Sequence, residues 1–311
     1  MRPQLLGRCR ASILSDGTAS VSDSWIPADY IVGGAFTAKQ PNILNPSTVC
    51  KGTGWKMQTL PKTANGLKGR YLYALVPGVH RRSYEGLGIN GGSVYTICEK
   101  DVAAVVSDVP NQKIRPERRH FAAHQAVLKA LMQDGPLLPM SFGIISGGPK
   151  GVRAILSRNR EEVIKQLRQV SGKVEMGLKV TWEVPNIFEY LVNTHIELKS
   201  ARDRLLRTDR IPTQDEKIEI GRLFESILDT DRERHAEKVE EVLAPLCSAI
   251  KHNKCRGERE VMNLACLVGG DSLKRFEAGV FEAARFFDDN FAFDYNGPWA
   301  PHNFVEIAID L

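Results

Sequence analysis

Apolar residues follow regular periods from about residue 70 to the end of the chain, and three short apolar runs come first. Residues 71–76, 94–98 and 102–107 are rich in Val, Ile, Tyr and Ala, and polar or turn-forming residues bound each run. Such runs predict strands, and the short polar break at 99–101 predicts a hairpin between the last two.

Two helices and two further strands are predicted next. Apolar or small residues recur at helical spacing from Pro116 to Gly135, and again from about residue 150 to Val170. A strand is expected after each helix, at 137–142 and 174–183. Residues 70–184 should therefore form an α+β domain of modified ferredoxin-like type, with its helices on one face of a mostly antiparallel sheet.

The second half of the chain predicts an α-rich domain over residues 185–311. A helix is expected from 186 to about 211, and Thr213 and Glu216 form a capping box that opens a second, long helix, with a kink at Pro245. Two helices of this length, joined by a short loop, predict a coiled-coil-like hairpin. A strand, a helix and a terminal strand should complete the domain at 261–268, 272–287 and 304–309.

Residues 1–69 form a leader of different composition, which is rich in Ser, Thr, Gly, Pro and Asn and has no regular spacing of apolar residues. This composition predicts disorder or loose attachment. The chain carries a formal net charge of +5, and nine Lys or Arg against three acids lie within residues 1–70. Because the rest of the chain then has no excess of positive charge, we do not expect a nucleic-acid partner.

Composition favours an ordinary globular protein, with 42% hydrophobic and 25% charged residues. The apolar runs are far shorter than the roughly 18 residues of a membrane helix, so no membrane partner is expected. Six scattered cysteines, without a secretory signal, favour a reducing, cytoplasmic setting.

Candidate catalytic patterns are weak. The G-x-G-x-x-G string at 86–91 precedes a predicted strand, whereas a dinucleotide site needs a helix there. His120 and His124 lie four residues apart on a predicted helix, as zinc ligands do, but Phe121 stands where a metalloprotease has Glu. Solvated surface histidines are the simpler interpretation, and the sequence predicts no catalytic set, cofactor or metal. A metal-dependent cytoplasmic enzyme that uses His120 and His124 stays as the alternative.

Five segments in order carry a resemblance to a known family. Two of them are the strand Tyr-Leu-Tyr-Ala-Leu-Val-Pro at 71–77 and the run Leu-Pro-Met-Ser-Phe-Gly at 138–143. The others are the apolar run at 102–108, the strand at 173–179 and the aromatic and Pro-rich stretch at 293–305. With this set, residues 70–311 resemble the gas vesicle protein GvpF/GvpL family.

The resemblance implies an accessory or minor structural protein of gas vesicle assembly. It implies a modified ferredoxin-like domain followed by an α-helical domain with a coiled-coil hairpin, and it implies no enzyme activity. The implied partners are the main gas vesicle shell protein, which is small and hydrophobic, and other accessory gas vesicle proteins. The implied location is the gas vesicle in the cytoplasm.

Two surfaces are candidates for contact with those partners. One is a stiff terminal loop in which Tyr295, Trp299 and Pro301 would present an aromatic anchor, although a ring packed in the protein's own core is the simpler interpretation. The other is the acidic flank of the long helix, which consists of Glu237, Glu240 and Glu241.

Overall fold

The computed structural model describes residues 9–13, 68–78, 83–207 and 211–307 of the 311-residue chain. These residues form two sheets with helices packed against them. The mixed α+β class predicted from the sequence is therefore confirmed. Within these residues, no helix is both long and apolar enough to cross a membrane.

The first sheet is antiparallel throughout and has the strand order β3-β4-β5-β2-β6, with β7 also paired to β2. Its strands are β2 (Lys68–Pro77), β3 (Ser83–Tyr84), β4 (Val94–Glu99), β5 (Val102–Pro110), β6 (Leu138–Pro139) and β7 (Ile145–Ser146). The predicted strand at 137–142 is thus only two residues long.

Helices cover both faces of this sheet, which corrects the expectation that they would share one face. Helix α1 (Arg118–Asp134) packs on the side of Tyr71 and Tyr73. Helices α2 (Pro149–Arg158) and α3 (Arg160–Val170) pack on the opposite side. Because both faces are buried, the central strands β2 and β5 are apolar almost without a break.

The second sheet has the strand order β1-β11-β8-β10-β9. Its strands are β1 (Cys9–Ile13), β8 (Lys173–Trp182), β9 (Ala249–His252), β10 (Glu260–Gly269) and β11 (Phe291–Trp299). The sequence predicts β8 as the last strand of the first domain, and that prediction is wrong because β8 pairs with β10 and β11 here. A ferredoxin-like arrangement completed by β8 is therefore not what the first sheet forms.

Four helices complete the second core: α4 (Ile187–Thr194), α5 (Ile196–Leu206), α6 (Gln214–Leu243) and α7 (Leu273–Ala284). The capping box at Thr213 and Glu216 opens α6 as predicted, since the side-chain oxygen of each residue accepts a hydrogen bond from the backbone N–H of the other. At the position of the predicted kink, α6 ends and a short 3-10 turn, Ala244–Leu246, follows.

The predicted terminal strand near 304–309 is wrong in its described part, because His302–Phe304 form a 3-10 turn. The strand lies earlier, as β11, and it includes Tyr295 and Trp299, which the sequence predicts to lie in a terminal loop. Phe291, Phe293 and Tyr295 alternate with less buried residues and point into the second core. This period of two is the signal that was missed.

After β11 the chain runs back to the first sheet and connects the two cores. Ala300 packs with the residues under α1, while Val305 and Ile307 pack beside α2 and α3. Gln166 makes two hydrogen bonds with Glu306: its Nε2 donates to the carbonyl oxygen at 2.9 Å, and its Oε1 accepts from the N–H at 3.0 Å. The segment 300–307 therefore fastens the second sheet to α3.

Residues 9–13 and 68–69 of the leader are described; the first group forms β1, parallel to β11, and the second begins β2. The aperiodic composition of the leader did not predict β1. The remaining leader residues lie outside the described part of the chain, and the domain boundary near residue 69 stays a prediction.

Candidate functional site

Helices α5 and α6 form a helical hairpin, and its far end extends beyond the core. The single helix expected from 186 to about 211 is instead two helices, α4 and α5, which meet at His195. Leu198 in α5 and Phe224 in α6 are buried in the second core. Between them, none of the described residues 199–207 and 211–223 is buried. Ile220 and Leu223 are partly buried against the core, so it is the outermost residues of the hairpin that contribute little to it.

Three large aliphatic side chains lie exposed at that end, and we call them the tip patch: Leu206, Ile211 and Ile218. Leu206 is 74% exposed, Ile211 is 86% exposed and Ile218 is 41% exposed. Single exposed apolar residues are common, but three around one helix connection form a surface suited to an apolar partner. The helical spacing that predicts a helix from 186 to about 211 does not show whether another element covers Leu206.

Buried polar contacts hold the base of the hairpin. Asp231 of α6 is 4% exposed, and its two carboxylate oxygens lie 2.9 Å from His195 Nε2 and 2.7 Å from Arg234 Nη2. His195 stands between α4 and α5, so this pairing fixes both helices to α6. A buried carboxylate needs such partners, because leaving it unpaired is strongly unfavourable.

His235 stiffens the same region through aromatic contacts. Its ring lies 5.2 Å from Phe287 and 4.9 Å from Phe291, measured between ring centroids. Burial lowers the pKa of His235 to about 4, so the ring is neutral at neutral pH. The tip patch is thus carried on an arm whose base is fixed.

The acidic flank is only partly available to a partner. Glu237 and Glu241 are exposed, whereas Glu240 Oε1 lies 2.6 Å from His252 Nε2 of β9. Glu240 therefore connects α6 to the edge of the second sheet. A role in binding for these three residues stays a prediction.

In the terminal stretch, two of the three residues that the sequence offers as an aromatic anchor are buried. Tyr295 is 1% exposed and its hydroxyl donates to Glu277, and Pro301 is also buried. Trp299 is the last residue of β11, is half-buried, and donates from Nε1 to Asn296 Oδ1 at 2.7 Å. Tyr295 and Pro301 belong to the protein's own core, so of the three only Trp299 retains surface.

The histidine pair is buried rather than solvated, which corrects the sequence interpretation. His120 Nδ1 lies 2.8 Å from the Arg115 carbonyl oxygen, and His124 Nδ1 lies 2.9 Å from the Tyr71 hydroxyl. Burial lowers the pKa of His124 to about 3. The signal in the sequence was that both histidines share the apolar face of α1 with Val127 and Leu131.

The two histidines do not assemble a metal site. His120 Nε2 lies 3.1 Å from Asn90 Oδ1, so both of its ring nitrogens already have polar neighbours. Across the residues that the structure describes, no three His, Cys, Asp or Glu side chains are grouped as metal ligands. The geometry gives the alternative of a metal-dependent enzyme no support.

Comparison with known proteins gives a consistent set of matches. A family model described as "Gas vesicle synthesis protein GvpL/GvpF" matches residues 69–306. A "Gas vesicle protein F" from Nostoc sp. is 24% identical over 243 residues, which are 77% of this chain and 99% of the relative. One from Streptomyces sp. is 26% identical over 239 residues, or 76% of this chain and 99% of the relative.

Two solved structures have the same fold. The crystal structure of GvpF from Anabaena sp. PCC7120 superposes with a TM-score of 0.66 at 24% identity, over 78% of this chain and 99% of that chain. GvpF from Microcystis aeruginosa gives a TM-score of 0.66 at 21% identity, over 77% and 99%. At these identities the structures support the fold alone.

Proposed function

The chain belongs to the gas vesicle synthesis protein GvpL/GvpF family, and from this premise we propose that it is an accessory protein of gas vesicle assembly. It binds the small hydrophobic shell protein through the tip patch, at or near the forming vesicle in the cytoplasm. The observation that carries this proposal is the exposure of Leu206, Ile211 and Ile218 at the end of a hairpin whose base is fixed.

The tip patch suits this partner for two physical reasons. Its aliphatic side chains gain free energy when an apolar surface covers them, about 1.5 to 3 kcal/mol for each one fully buried. Because the arm is held at Asp231, binding does not first have to order the hairpin. A small hydrophobic protein can thus be shielded from water before it enters the vesicle wall.

Other accessory gas vesicle proteins are the second class of proposed partner. Glu237 and Glu241 are exposed near the other end of the same helix, roughly 30 Å along its axis from Ile218, and offer a separate charged contact. Charged contacts at an interface mainly affect its association rate and specificity, while apolar burial supplies most of its affinity.

The binding test compares the wild-type protein with a variant that combines Leu206→Ser, Ile211→Ser and Ile218→Ser. The control is Phe286→Ser, because Phe286 is 62% exposed but lies after α7. The affinity of the tip variant for the shell protein should fall by about tenfold or more. A tenfold fall corresponds to a loss of about 1.4 kcal/mol in binding free energy. The control should bind as the wild type does.

Circular dichroism melts accompany this test, and the tip variant should melt close to the wild type because the patch is not buried. A tip variant that folds and still binds the shell protein with full affinity would contradict the proposal. Immunolabelling of purified, washed vesicles then separates a wall component, which stays bound, from a cytosolic assembly chaperone, which is washed away.

A further inference from the structure

The outer edge of β11 is covered by a strand from the leader. On one side β11 pairs with β8, and on the other it pairs in parallel with β1 over five positions, from Cys9 opposite Phe293 to Ile13 opposite Gly297. Without β1, β11 would be the edge of the sheet, with a row of backbone groups open to pairing.

The covering strand lies outside the part of the chain that the family shares. The family model begins at residue 69, and the Nostoc and Streptomyces relatives align over nearly their whole length with about three-quarters of this chain. Within the part of the chain that the family model covers, β11 is therefore the edge strand of the second sheet, and β1 adds a strand beside it.

The sequence of β1 alternates in step with its register on β11. Cys9, Ala11 and Ile13 are in register with positions 293, 295 and 297, where Phe293 and Tyr295 face the second core. Arg10 is in register with Asp294 and Ser12 with Asn296. The sequence of β1 thus has small or apolar residues at the register positions of 293, 295 and 297, and polar residues at the alternate positions.

We propose that the outer edge of β11 is a strand-docking site, and that the leader of this chain is its built-in ligand. Strand β1 closes the edge, and release of the leader opens it to an extended segment of the same pattern. That segment carries small or apolar residues at alternate positions and a basic residue opposite Asp294. Backbone pairing supplies the affinity and the alternating side chains supply the selectivity, as in other cases of strand addition.

Hydrogen exchange on the full-length protein tests whether β1 is a removable cover. Ala11→Pro removes a backbone donor from the middle of β1, and Ala35→Pro is the matched control elsewhere in the leader. In the Ala11→Pro protein, amides of residues 293–297 that point towards β1 should exchange roughly tenfold faster or more. The control should exchange as the wild type does.

Peptide binding tests whether the opened edge accepts a strand. A fluorescein-labelled peptide with the sequence of residues 7–15 should bind the Ala11→Pro protein. It should bind the wild type at least about tenfold more weakly, because a tethered strand competes at a millimolar effective concentration. A peptide with Arg10→Glu should lose affinity for the opened edge, whereas one with Arg8→Glu should lose little.

Three results would overturn the inference. The first is equal exchange of residues 293–297 in the Ala11→Pro and wild-type proteins, which would mean that β1 does not protect the edge. The second is a folded Ala11→Pro protein that binds no peptide. The third is loss of the folded state in the Ala11→Pro protein, which would make β1 an integral strand of the fold rather than a cover.

Discussion

Glu175 offers a quantitative test of how the terminal segment is fastened. This residue lies on the central strand β8 and is 1% exposed. Its two carboxylate oxygens accept hydrogen bonds from Asn303, one from the backbone N–H at 2.8 Å and one from Nδ2 at 2.6 Å. Burial raises the pKa of Glu175 to about 7, although these hydrogen bonds and the nearby Lys251 oppose the rise.

A carboxyl group whose pKa is higher in the folded than in the unfolded protein binds its proton more tightly in the folded protein. The free energy of unfolding is therefore larger at low pH, where the group is protonated, than at high pH, where it is ionised. The contribution is fully present below the unfolded pKa, near 4.5, and is lost as the pH rises to about 7. Each unit of pKa difference corresponds to 1.36 kcal/mol, so the loss across this window is about 3 kcal/mol. Glu175→Gln removes the titration and should remove this dependence.

The assay is urea denaturation of the wild type and Glu175→Gln at several pH values from 4.5 to 8. The free energy of unfolding of the variant, relative to the wild type, should rise by about 3 kcal/mol across that range. The variant is compared with the wild type because other groups also titrate in this range. Burial lowers the pKa of His124 to about 3 and that of His302 to about 4, so acidification destabilises both proteins through these two residues. Exposed Glu225→Gln, which removes an equal charge, is the control. Parallel pH profiles for the wild type and Glu175→Gln would refute the reasoning.

Two further predictions concern α3 and the second core. Gln166→Ala removes both hydrogen bonds to the Glu306 backbone and should cost about 1 to 3 kcal/mol of unfolding free energy, with faster exchange of the Glu306 amide. The exposed Gln169→Ala is its control, and equal stability of the two variants would contradict the fastening role. Cys247 should react with iodoacetamide before Cys266, because a shared hydrogen bond lowers the pKa of the half-exposed Cys247 thiol and raises that of the buried Cys266 thiol. Mass spectrometry that finds equal labelling rates in the folded protein would show this arrangement to be wrong.

Local signals in the sequence predicted the local elements well. The capping box at Thr213 and Glu216 located the start of α6, and the apolar runs located β2, β4 and β5. The sheet that β8 joins was not predictable in the same way. Leu178, Val180 and Trp182 alternate as they would in either sheet, because the partner of a strand is decided by distant residues.

The candidate site shows the same division between local pattern and tertiary context. The length of the two helices and their short connection predict a hairpin, but they do not show that Leu206 is exposed while Leu198 is buried. Tyr295 was recognised as a special aromatic residue, yet its position on a strand placed it in the core rather than on the surface. Exposure depends on which other elements pack nearby, and a single sequence does not record that.

The most direct test of the proposed function is gas vesicle formation in cells that normally make this protein. The gene is deleted and replaced by the wild type, by the combined Leu206→Ser, Ile211→Ser and Ile218→Ser variant, or by the Phe286→Ser control. Pressure-sensitive turbidity then measures the vesicle content at matched protein levels. We predict that deletion abolishes the signal, that the wild type and the control restore it, and that the tip variant does not. Normal turbidity after deletion would contradict a role in assembly, and full rescue by the tip variant would contradict the role of the tip patch.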